Sequence, residues 1–195
     1  MGKWGQIAGQ YGDERGRMKL LAGKPGWTTQ ADVVVIGSGV AGLTTVLNLR
    51  ASGLSVLLVT KALLDEGSTK WAQGGIAAAL GPGDTPDQHE SDTLIAGAGL
   101  CDIDAVKVLV TEGPEAVRRL IARGAVFDTS ESGEISLTRE GGHHRNRILH
   151  AGGDATGAEV SRALLEAIKV ILESKLLNEH LLSMRCRMQM ARSVV

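Results

Sequence analysis

Cysteine is scarce in this sequence of 195 residues. Its two cysteines, Cys101 and Cys186, lie far apart and form no CxxC pair, which excludes a disulfide framework and a cysteine-based zinc cluster. Reduced thiols are the ordinary state inside cells, so we expect a cytoplasmic protein.

Aromatic residues and excess charge are also missing. Aromatic residues make up 3% of the chain, and 21 Lys and Arg residues nearly balance 22 Asp and Glu residues, so the formal net charge is −1. Such a chain has neither the stacking groups nor the positive field that attract nucleic acids, and we expect no nucleic-acid partner. Its 26 glycines instead favour tight turns and close approach of the backbone to a small ligand.

Long apolar runs are absent as well. No run approaches the roughly 20 residues that cross a membrane, so we expect a soluble protein with no membrane partner. The first thirty residues mix Lys3, Asp13 and Arg15 with glycines and lack the apolar core of a signal peptide. We interpret residues 1–30 as a flexible leader.

A strand, a tight turn, a helix and a second strand follow this leader. Residues 32–36 are an apolar run that ends at Gly37, and apolar residues then recur with helical spacing as far as Arg50. Gly53 is placed to end that helix, and residues 54–59 form a second apolar run. This βαβ unit predicts an α/β fold of Rossmann-like type with a parallel sheet.

Later segments predict loop and helix. Residues 61–87 are rich in glycine and should run largely as loop, although residues 71–80 are too apolar to lie fully in water. Residues 104–123 predict a helix with Asp104 as a possible N-cap, an interruption at Gly113 and Pro114, and an end at Gly124. Residues 153–168 predict another helix.

The glycines between the first strand and its helix have the spacing GxGxxG. Gly37 permits a tight turn, Gly39 lets the backbone approach a diphosphate, and Gly42 lets the helix pack closely on the strand. The diphosphate would lie at the helix N-terminus, where free N–H groups and the helix dipole attract anions. We therefore predict a dinucleotide site that comprises Gly37, Ser38, Gly39, Val40, Ala41 and Gly42.

The end of the second strand departs from the common dinucleotide-binding pattern. Such folds usually place an acidic residue there for the ribose hydroxyls, whereas this chain has Thr60 and Lys61. The lysine suits the 2′-phosphate of NADP. The pair equally suits the adenosine side of FAD, with Thr60 offering a hydroxyl, so the fingerprint alone leaves both cofactors open.

A glycine-rich segment after the second strand bears on this choice. Residues 68–75 read Ser-Thr-Lys-Trp-Ala-Gln-Gly-Gly and resemble the stretch that wraps FAD in the flavoprotein family of succinate dehydrogenase, fumarate reductase and L-aspartate oxidase. Small residues and exposed amides can line a planar ring and its phosphates. The resemblance implies FAD as the cofactor, with contacts from Lys61, Ser68, Thr69, Lys70, Trp71, Ala72, Gln73, Gly74 and Gly75.

Three later blocks are similar to the L-aspartate oxidase branch of this family. They lie within residues 92–102, 137–143 and 147–157, in the family's order. The likeness therefore runs from about residue 32 to residue 168. His144 and Asn146 depart from it, because a serine and an arginine are often found in this histidine-rich block.

The resemblance implies a reaction. Members of this branch transfer a hydride from the Cα atom of L-aspartate to FAD, which yields iminoaspartate for quinolinate and hence NAD synthesis. Oxygen or fumarate then reoxidises the flavin. The implied partners are L-aspartate, one of these two electron acceptors, and quinolinate synthase as the recipient of iminoaspartate.

Glu140 is the implied catalytic-site carboxylate, because the matching family position orients the amino dicarboxylate. Succinate lacks the amine, so a glutamate there also gives a physical basis for choosing aspartate over succinate. Three arginines of the same block, Arg139, Arg145 and Arg147, either face substrate or phosphate or form a solvated basic loop.

The histidines of this block do not predict a metal site. His143, His144 and His150 have no acidic or cysteine partner at a recognisable ligand spacing. We therefore expect no metal.

The family's capping domain, its proton-carrying arginine and a returning segment of its FAD domain have no counterpart in these 195 residues. We therefore expect residues 31–168 to be the N-terminal part of an incomplete FAD-binding domain, in a truncated or frame-shifted product. Residues 169–195 favour a basic amphipathic helix. The alternatives are a non-catalytic FAD-binding remnant, a succinate dehydrogenase or fumarate reductase flavoprotein, and an NADP-dependent reductase based on Lys61.

Overall fold

The computed structural model describes residues 28–61, 63–173 and 181–185. The chain divides into two units, residues 1–30 and 31–195, and every element below belongs to the second. Apart from residues 28–30, the expected leader lies outside the described residues. No helix in the described ranges is long and apolar enough to span a bilayer. The strands are β1 (Val33–Ile36), β2 (Val56–Thr60), β3 (Ile76–Ala77), β4 (Leu137–Thr138), β5 (Ile148–Leu149) and β6 (Leu181–Arg185), and the helices are α1 (Val40–Ala51), α2 (Pro86–Ala96), α3 (Ile103–Ala122), α4 (Thr156–Glu173) and a 3-10 helix (Ser68–Trp71).

The first three elements, β1, α1 and β2, form the predicted βαβ unit. Val33 lies opposite Val56 and Ile36 opposite Val59 in parallel pairing, which confirms the predicted strand geometry. After α1 the chain turns at Gly53, whose φ of +81° favours glycine because a Cβ atom strains this conformation. The core between this sheet and helices α1 and α4 contains the buried residues Val35, Leu43, Val46, Leu47, Val56, Leu58, Val160, Leu164 and Ile168.

The strand β6 corrects the sequence interpretation of the tail. Leu181 lies opposite Val56 and Arg185 opposite Thr60, again in parallel, so the expected helix is wrong for these residues. The physical reason is that the second edge of β2 has N–H and C=O groups that need hydrogen-bond partners. A neighbouring strand pairs with these groups, whereas a helix does not. Helix α4 extends to Glu173. The other tail residues lie outside the described part of the chain.

A second, small sheet was not predicted. It has the strand order β3-β5-β4, with both pairs antiparallel, and strands of two residues leave no periodic pattern in a sequence. The described residues of 61–87 run largely as loop, as predicted, and the 3-10 helix, β3 and the start of α2 are short elements within them. The sheet belongs to a second hydrophobic cluster that contains Ala78, Val117, Ala125, Phe127, Leu149, Ala151 and Ala163.

Helix α3 differs from its prediction in two details. Its N-cap is Asp102, whose carboxylate accepts a backbone hydrogen bond of 2.9 Å, and Asp104 lies in the first turn instead. The helix also runs through Pro114, where an interruption was predicted. Pro114 is buried together with Val110 and Val117, and this packing offsets the one backbone hydrogen bond that proline cannot make.

Candidate functional site

The turn between β1 and α1 depends on glycine. Gly37 has a φ of +104°, and its N–H donates a 2.8 Å hydrogen bond to the carbonyl oxygen of Val59 in β2. A Cβ atom on Gly42 would lie 2.0 Å from the Gly37 carbonyl oxygen. Glycine at position 42 is therefore what lets α1 pack this closely on the turn.

The N-terminus of α1 is not neutralised by its own residues. Its N-cap, Gly39, makes no side-chain hydrogen bond, and no acidic residue lies in the first turn. The Val40 N–H donates a 3.0 Å hydrogen bond to the hydroxyl oxygen of Thr69, a residue 29 positions later. The positive end of the helix dipole at this point favours an anionic group.

The glycine-rich segment packs directly against this turn. A Cβ atom on Gly67 would lie 3.4 Å from the Ser38 carbonyl oxygen and 3.6 Å from the Cα atom of Gly39. The two backbones therefore approach each other without intervening side chains. The structure brings together the two motifs that the sequence analysis assigned to one cofactor.

Other elements hold the glycine-rich segment from behind. The Gly157 N–H at the start of α4 donates a 2.9 Å hydrogen bond to the Ala72 carbonyl oxygen, and a Cβ atom on Gly157 would lie 2.0 Å from the Thr69 carbonyl oxygen. A Cβ atom on Gly75 would lie 2.3 Å from a side-chain carbon of β5, whereas one on Gly74 would meet nothing within 4 Å. The segment is thus fixed by packing and has open space at Gly74.

The predicted cofactor residues differ in their exposure. Ser38 is buried, and its hydroxyl lies 3.3 Å from the buried hydroxyl of Thr60, so this pair ties the turn to the end of β2. The Lys70 Nζ atom lies 5.1 Å from the ring centroid of Trp71. Gly37, Gly39, Gly42, Thr69, Lys70 and Gly75 are partly buried, and Val40, Ala41, Lys61, Ser68, Trp71, Ala72, Gln73 and Gly74 are exposed.

Glu140 lies on the turn after β4, with its side chain 51% exposed. Its Oε1 atom lies 2.8 Å from the Nε2 atom of His150. The ring of His150 in turn lies against the glycine-rich segment, because a Cβ atom on Gly75 would be 3.0 Å from its Cε1 atom. One histidine, which the sequence analysis considered only as a metal ligand, therefore links Glu140 to the predicted cofactor segment.

Arg147 does not match either interpretation of the basic loop. Its side chain is fully buried, with Nε and Nη2 donating to the two carboxylate oxygens of Asp84 at 2.9 and 2.7 Å. Its Nη1 atom donates to Asp92 Oδ2 at 3.0 Å. Arg147 thus holds α2 and the loop just before it against β5. The sequence analysis missed Asp84, whose only local signal is its position just before the N-cap Thr85.

Asp92 is ionised in this cluster and His89 is neutral near pH 7. Burial alone would raise the pKa of Asp92, but hydrogen bonds from the backbone N–H and ring of His144, with the charges of His144 and Arg147, lower it to about 2. Burial, followed by the charge of Arg147, lowers the pKa of His89. The cluster therefore keeps its charged hydrogen bonds over the physiological pH range.

The remaining residues of the basic loop lie on the surface. Arg139 and Arg145 are exposed, and Arg145 Nε donates a 2.9 Å hydrogen bond to the side chain of Gln88. The two departures from the family pattern, His144 and Asn146, line a cavity of about 480 Å³ together with Arg145. In the part of the chain that is described, no three His, Cys, Asp or Glu side chains form a group that could hold a metal.

The site around the α1 N-terminus fits a dinucleotide that carries a diphosphate and a flat ring. The unneutralised helix end provides N–H donors for phosphate, and no carboxylate in the first turn repels it. Glycines at positions 37 and 39 and the open space at Gly74 leave room for close backbone contact. The arrangement therefore has the donors and the space that FAD requires.

Comparison with known proteins decides the family. Residues 32–188 match the family described as FAD binding domain. The chain belongs to this FAD-binding family. Membership selects FAD over NADP, which the fingerprint had left open. The match also passes through β6, beyond residue 168, where the likeness was expected to end.

Curated relatives in this FAD-binding family are similar to most of the chain. The L-aspartate oxidase of Streptomyces coelicolor is 69% identical over 152 residues, which cover 78% of this chain and 26% of that protein. The L-aspartate oxidase of Mycobacterium leprae is 53% identical over 150 residues, with 75% and 28% covered. The predicted resemblance is confirmed, and the chain spans about a quarter of the length of these relatives.

Solved structures show the same fold. Mycobacterium smegmatis Sdh1 in complex with UQ1 has a TM-score of 0.73 and 36% identity, over 80% of this chain and 27% of that chain. A quinol-fumarate reductase with menaquinol molecules has a TM-score of 0.67 and 28% identity, over 72% and 25%. The described residues therefore have an FAD-binding flavoprotein fold, with mixed helices and strands and a small parallel sheet.

Proposed function

We propose that this chain binds FAD as part of an L-aspartate oxidase, an oxidoreductase that converts L-aspartate to iminoaspartate. The observation that carries the proposal is the contact from Glu140 through His150 to Gly75, which places a half-exposed carboxylate beside the cofactor segment. The 69% identity to an L-aspartate oxidase supports the same reaction. FAD would accept the hydride from the substrate Cα atom and be reoxidised by oxygen or fumarate.

The residues that would hold FAD lie on both sides of the α1 N-terminus. Backbone N–H groups of the turn at Gly37 and Gly39 would bind the diphosphate, and exposed Lys61 would face the adenosine side. The glycine-rich segment after Gly67 would line the flavin, where its small residues allow close contact. This arrangement would be that of a Rossmann-like FAD-binding domain.

Glu140 would bind the ammonium group of L-aspartate. Its Oε1 atom is held by His150, so a substrate amine would meet Oε2. A carboxylate at this position attracts an amino dicarboxylate and repels succinate, which carries two negative charges and no amine. Glu140 is therefore the residue on which we place selectivity for aspartate.

The product of this reaction gives the chain a place in metabolism. Iminoaspartate would pass to quinolinate synthase for quinolinate and NAD synthesis. The low cysteine content supports a cytoplasmic location for this chemistry.

FAD binding without turnover is the second candidate. It is favoured by Arg147, whose guanidinium is fully buried between Asp84 and Asp92. The two carboxylates of aspartate require cationic partners, and this arginine is not available to provide one. A succinate dehydrogenase type of flavoprotein, favoured by the likeness to Sdh1, is the third.

The visible absorbance spectrum of the purified chain tests these candidates. FAD is added, unbound flavin is removed by desalting, and L-aspartate is then supplied without oxygen. Retained flavin bands that L-aspartate bleaches and succinate does not would support the oxidase. Retained bands that neither compound changes would mean FAD binding without turnover, and bleaching by succinate alone would support the dehydrogenase type. Loss of flavin on desalting would contradict all three.

A further inference from the structure

We infer that His150 is the residue that positions Glu140 for the substrate ammonium group, an assignment that rests on the proposed function. The structure shows one ring held at both nitrogens. Its Nε2 atom lies 2.8 Å from Glu140 Oε1, and its Nδ1 atom lies 3.2 Å from the Gly153 carbonyl oxygen. His150 is 19% exposed at the side chain, against 51% for Glu140, so the better-buried group holds the more exposed one.

The carbonyl group at Gly153 decides the role of one ring nitrogen. A carbonyl oxygen only accepts, so the Nδ1 atom of His150 is the donor of the hydrogen bond to Gly153. The Nε2 atom then faces the Oε1 atom of Glu140 at 2.8 Å. Because this contact occupies Oε1 of Glu140, the substrate ammonium is directed to Oε2.

Asp128 supports the histidine from behind. Its backbone N–H donates a 2.8 Å hydrogen bond to the His150 carbonyl oxygen. Its carboxylate accepts from the N–H groups of Gly152 and Gly153 at 2.8 and 3.2 Å. Both glycines have positive φ, at +56° and +72°. The turn that presents the Gly153 carbonyl is therefore fixed by the same residue that fixes the His150 backbone.

The contact of His150 with Gly75 relates Glu140 to the cofactor. The ring is close enough that a Cβ atom on Gly75 would lie 3.0 Å from it. Without the ring, a half-exposed glutamate on a turn samples several rotamers, and ordering it on substrate binding costs conformational entropy. His150 thus acts through Glu140 on recognition of the amine, and ligands without an amine should lose no affinity when the ring is removed.

Two substitutions separate the two polar contacts of the ring. In His150→Gln the side-chain amide lies near the former Nε2 position and can donate to Glu140. In His150→Asn the shorter amide lies near Nδ1 and can reach only Gly153. The FAD-loaded chain is mixed without oxygen with increasing L-aspartate, and the concentration dependence of the rate of flavin reduction gives the apparent affinity for L-aspartate. A separate titration with succinate gives its affinity from the change in flavin absorbance.

We expect His150→Asn to bind L-aspartate about tenfold more weakly, the effect of one lost polar contact to a charged group, with no loss of succinate affinity and no change in FAD content. His150→Gln should restore most of the loss. Equal weakening of aspartate and succinate, or a glutamine variant as weak as the asparagine variant, would overturn the inference. If the wild-type chain retains FAD but shows no response to L-aspartate, the proposed function fails, and the role of His150 toward the ammonium fails with it.

Nuclear magnetic resonance of the histidine rings tests the contact without substrate or turnover. In a chain labelled with ¹⁵N-histidine, Glu140→Gln should shift the ring signals of His150 and leave those of His144 unchanged. Glu134→Gln, at an exposed glutamate of the neighbouring loop, is the matched control and should shift neither. Unchanged His150 signals in the Glu140 variant would overturn the inference independently of aspartate binding.

Discussion

Addition of a methyl group should destabilise the protein at a packed glycine and have little effect at an open one. A Cβ atom on Gly157 would lie 2.0 Å from the Thr69 carbonyl oxygen and 2.8 Å from both the carbonyl oxygen and the Cβ atom of Ala72, whereas one on Gly141 would meet nothing within 4 Å. We expect Gly157→Ala to lower the free energy of unfolding by about 1 to 3 kcal/mol, because two backbones must move apart. Gly141→Ala should change it by less than about 0.5 kcal/mol. Urea unfolding of the two variants measures both values, and equal stabilities would contradict this packing.

The guanidinium of Arg147 should be essential to stability and not only to the site. Arg147→Met removes the guanidinium that pairs with the buried carboxylates of Asp84 and Asp92, and breaking such a buried pair typically costs roughly 3 to 5 kcal/mol. The control is Arg145→Met at an exposed neighbour, for which we expect a change within about 0.5 kcal/mol. Thermal and urea unfolding of both variants would show the difference. Similar stabilities would mean that Arg147 is not buried between two charges.

Acid should destabilise the protein through Asp92. The pKa of this carboxyl falls from 3.8 to about 2 in the folded protein, so the unfolded state binds the proton more readily. The contribution of Asp92 to stability is therefore complete above pH 3.8 and is lost as the pH falls through 2. Its size is roughly 2 kcal/mol. The difference in unfolding free energy between the wild type and Asp92→Asn should shrink between about pH 5 and pH 2, and a constant difference would contradict the assignment.

At the level of elements, the pattern of apolar residues in the sequence predicted those helices and strands that bury a continuous apolar face. The βαβ unit was predicted because β1 and β2 are unbroken apolar runs on either side of a glycine turn. The strands β3, β4 and β5 escaped prediction because two residues cannot show a period. Pairing across the sheet, which no local pattern encodes, determines the strand at β6.

The same distinction applies to the candidate site, where local patterns predicted some residues and missed contacts between distant ones. The glycines of the turn and of the later segment were predicted as cofactor contacts from their spacing and resemblance, because close backbone approach requires glycine at defined positions. His150 was missed as a partner of Glu140, and Asp84 as a partner of Arg147. These contacts join residues that are 10 and 63 positions apart, and they depend on how turns and short strands pack.

The pairing of β6 with β2 makes a test by proline informative. Neighbouring residues of a strand direct their N–H groups to opposite sides, so one of Leu182 and Ser183 donates toward β2 and the other away from it. Proline removes that donor. We expect one of Leu182→Pro and Ser183→Pro to lower stability by at least about 1 kcal/mol, and the other to be tolerated better. Urea unfolding measures both variants, and two equal effects would argue against the pairing of β6 with β2.

At the scale of the whole molecule, the cofactor should join parts of the chain that are distant in sequence. The α1 N-terminus and Thr69 are 29 residues apart and are linked by one hydrogen bond of 3.0 Å. Gly157 holds the same segment from α4. A ligand that contacts both the turn and the glycine-rich segment therefore stabilises β1, α1 and α4 together, whereas one that reaches only the turn does not.

FAD and ADP differ in this respect, because both carry the adenosine diphosphate and only FAD carries the flavin. A ligand that binds only the folded state adds about 1.4 kcal/mol of stability for each tenfold excess over its dissociation constant. We expect saturating FAD to raise the melting temperature more than ADP at the same concentration. Thr69→Val, which removes the hydroxyl that accepts from the Val40 N–H, should reduce the effect of FAD. Thr45→Val on the exposed side of α1 is the control. Equal shifts with FAD and ADP would mean that the cofactor contacts only the glycine turn of residues 37–42. The glycine-rich segment would then not be part of the cofactor site.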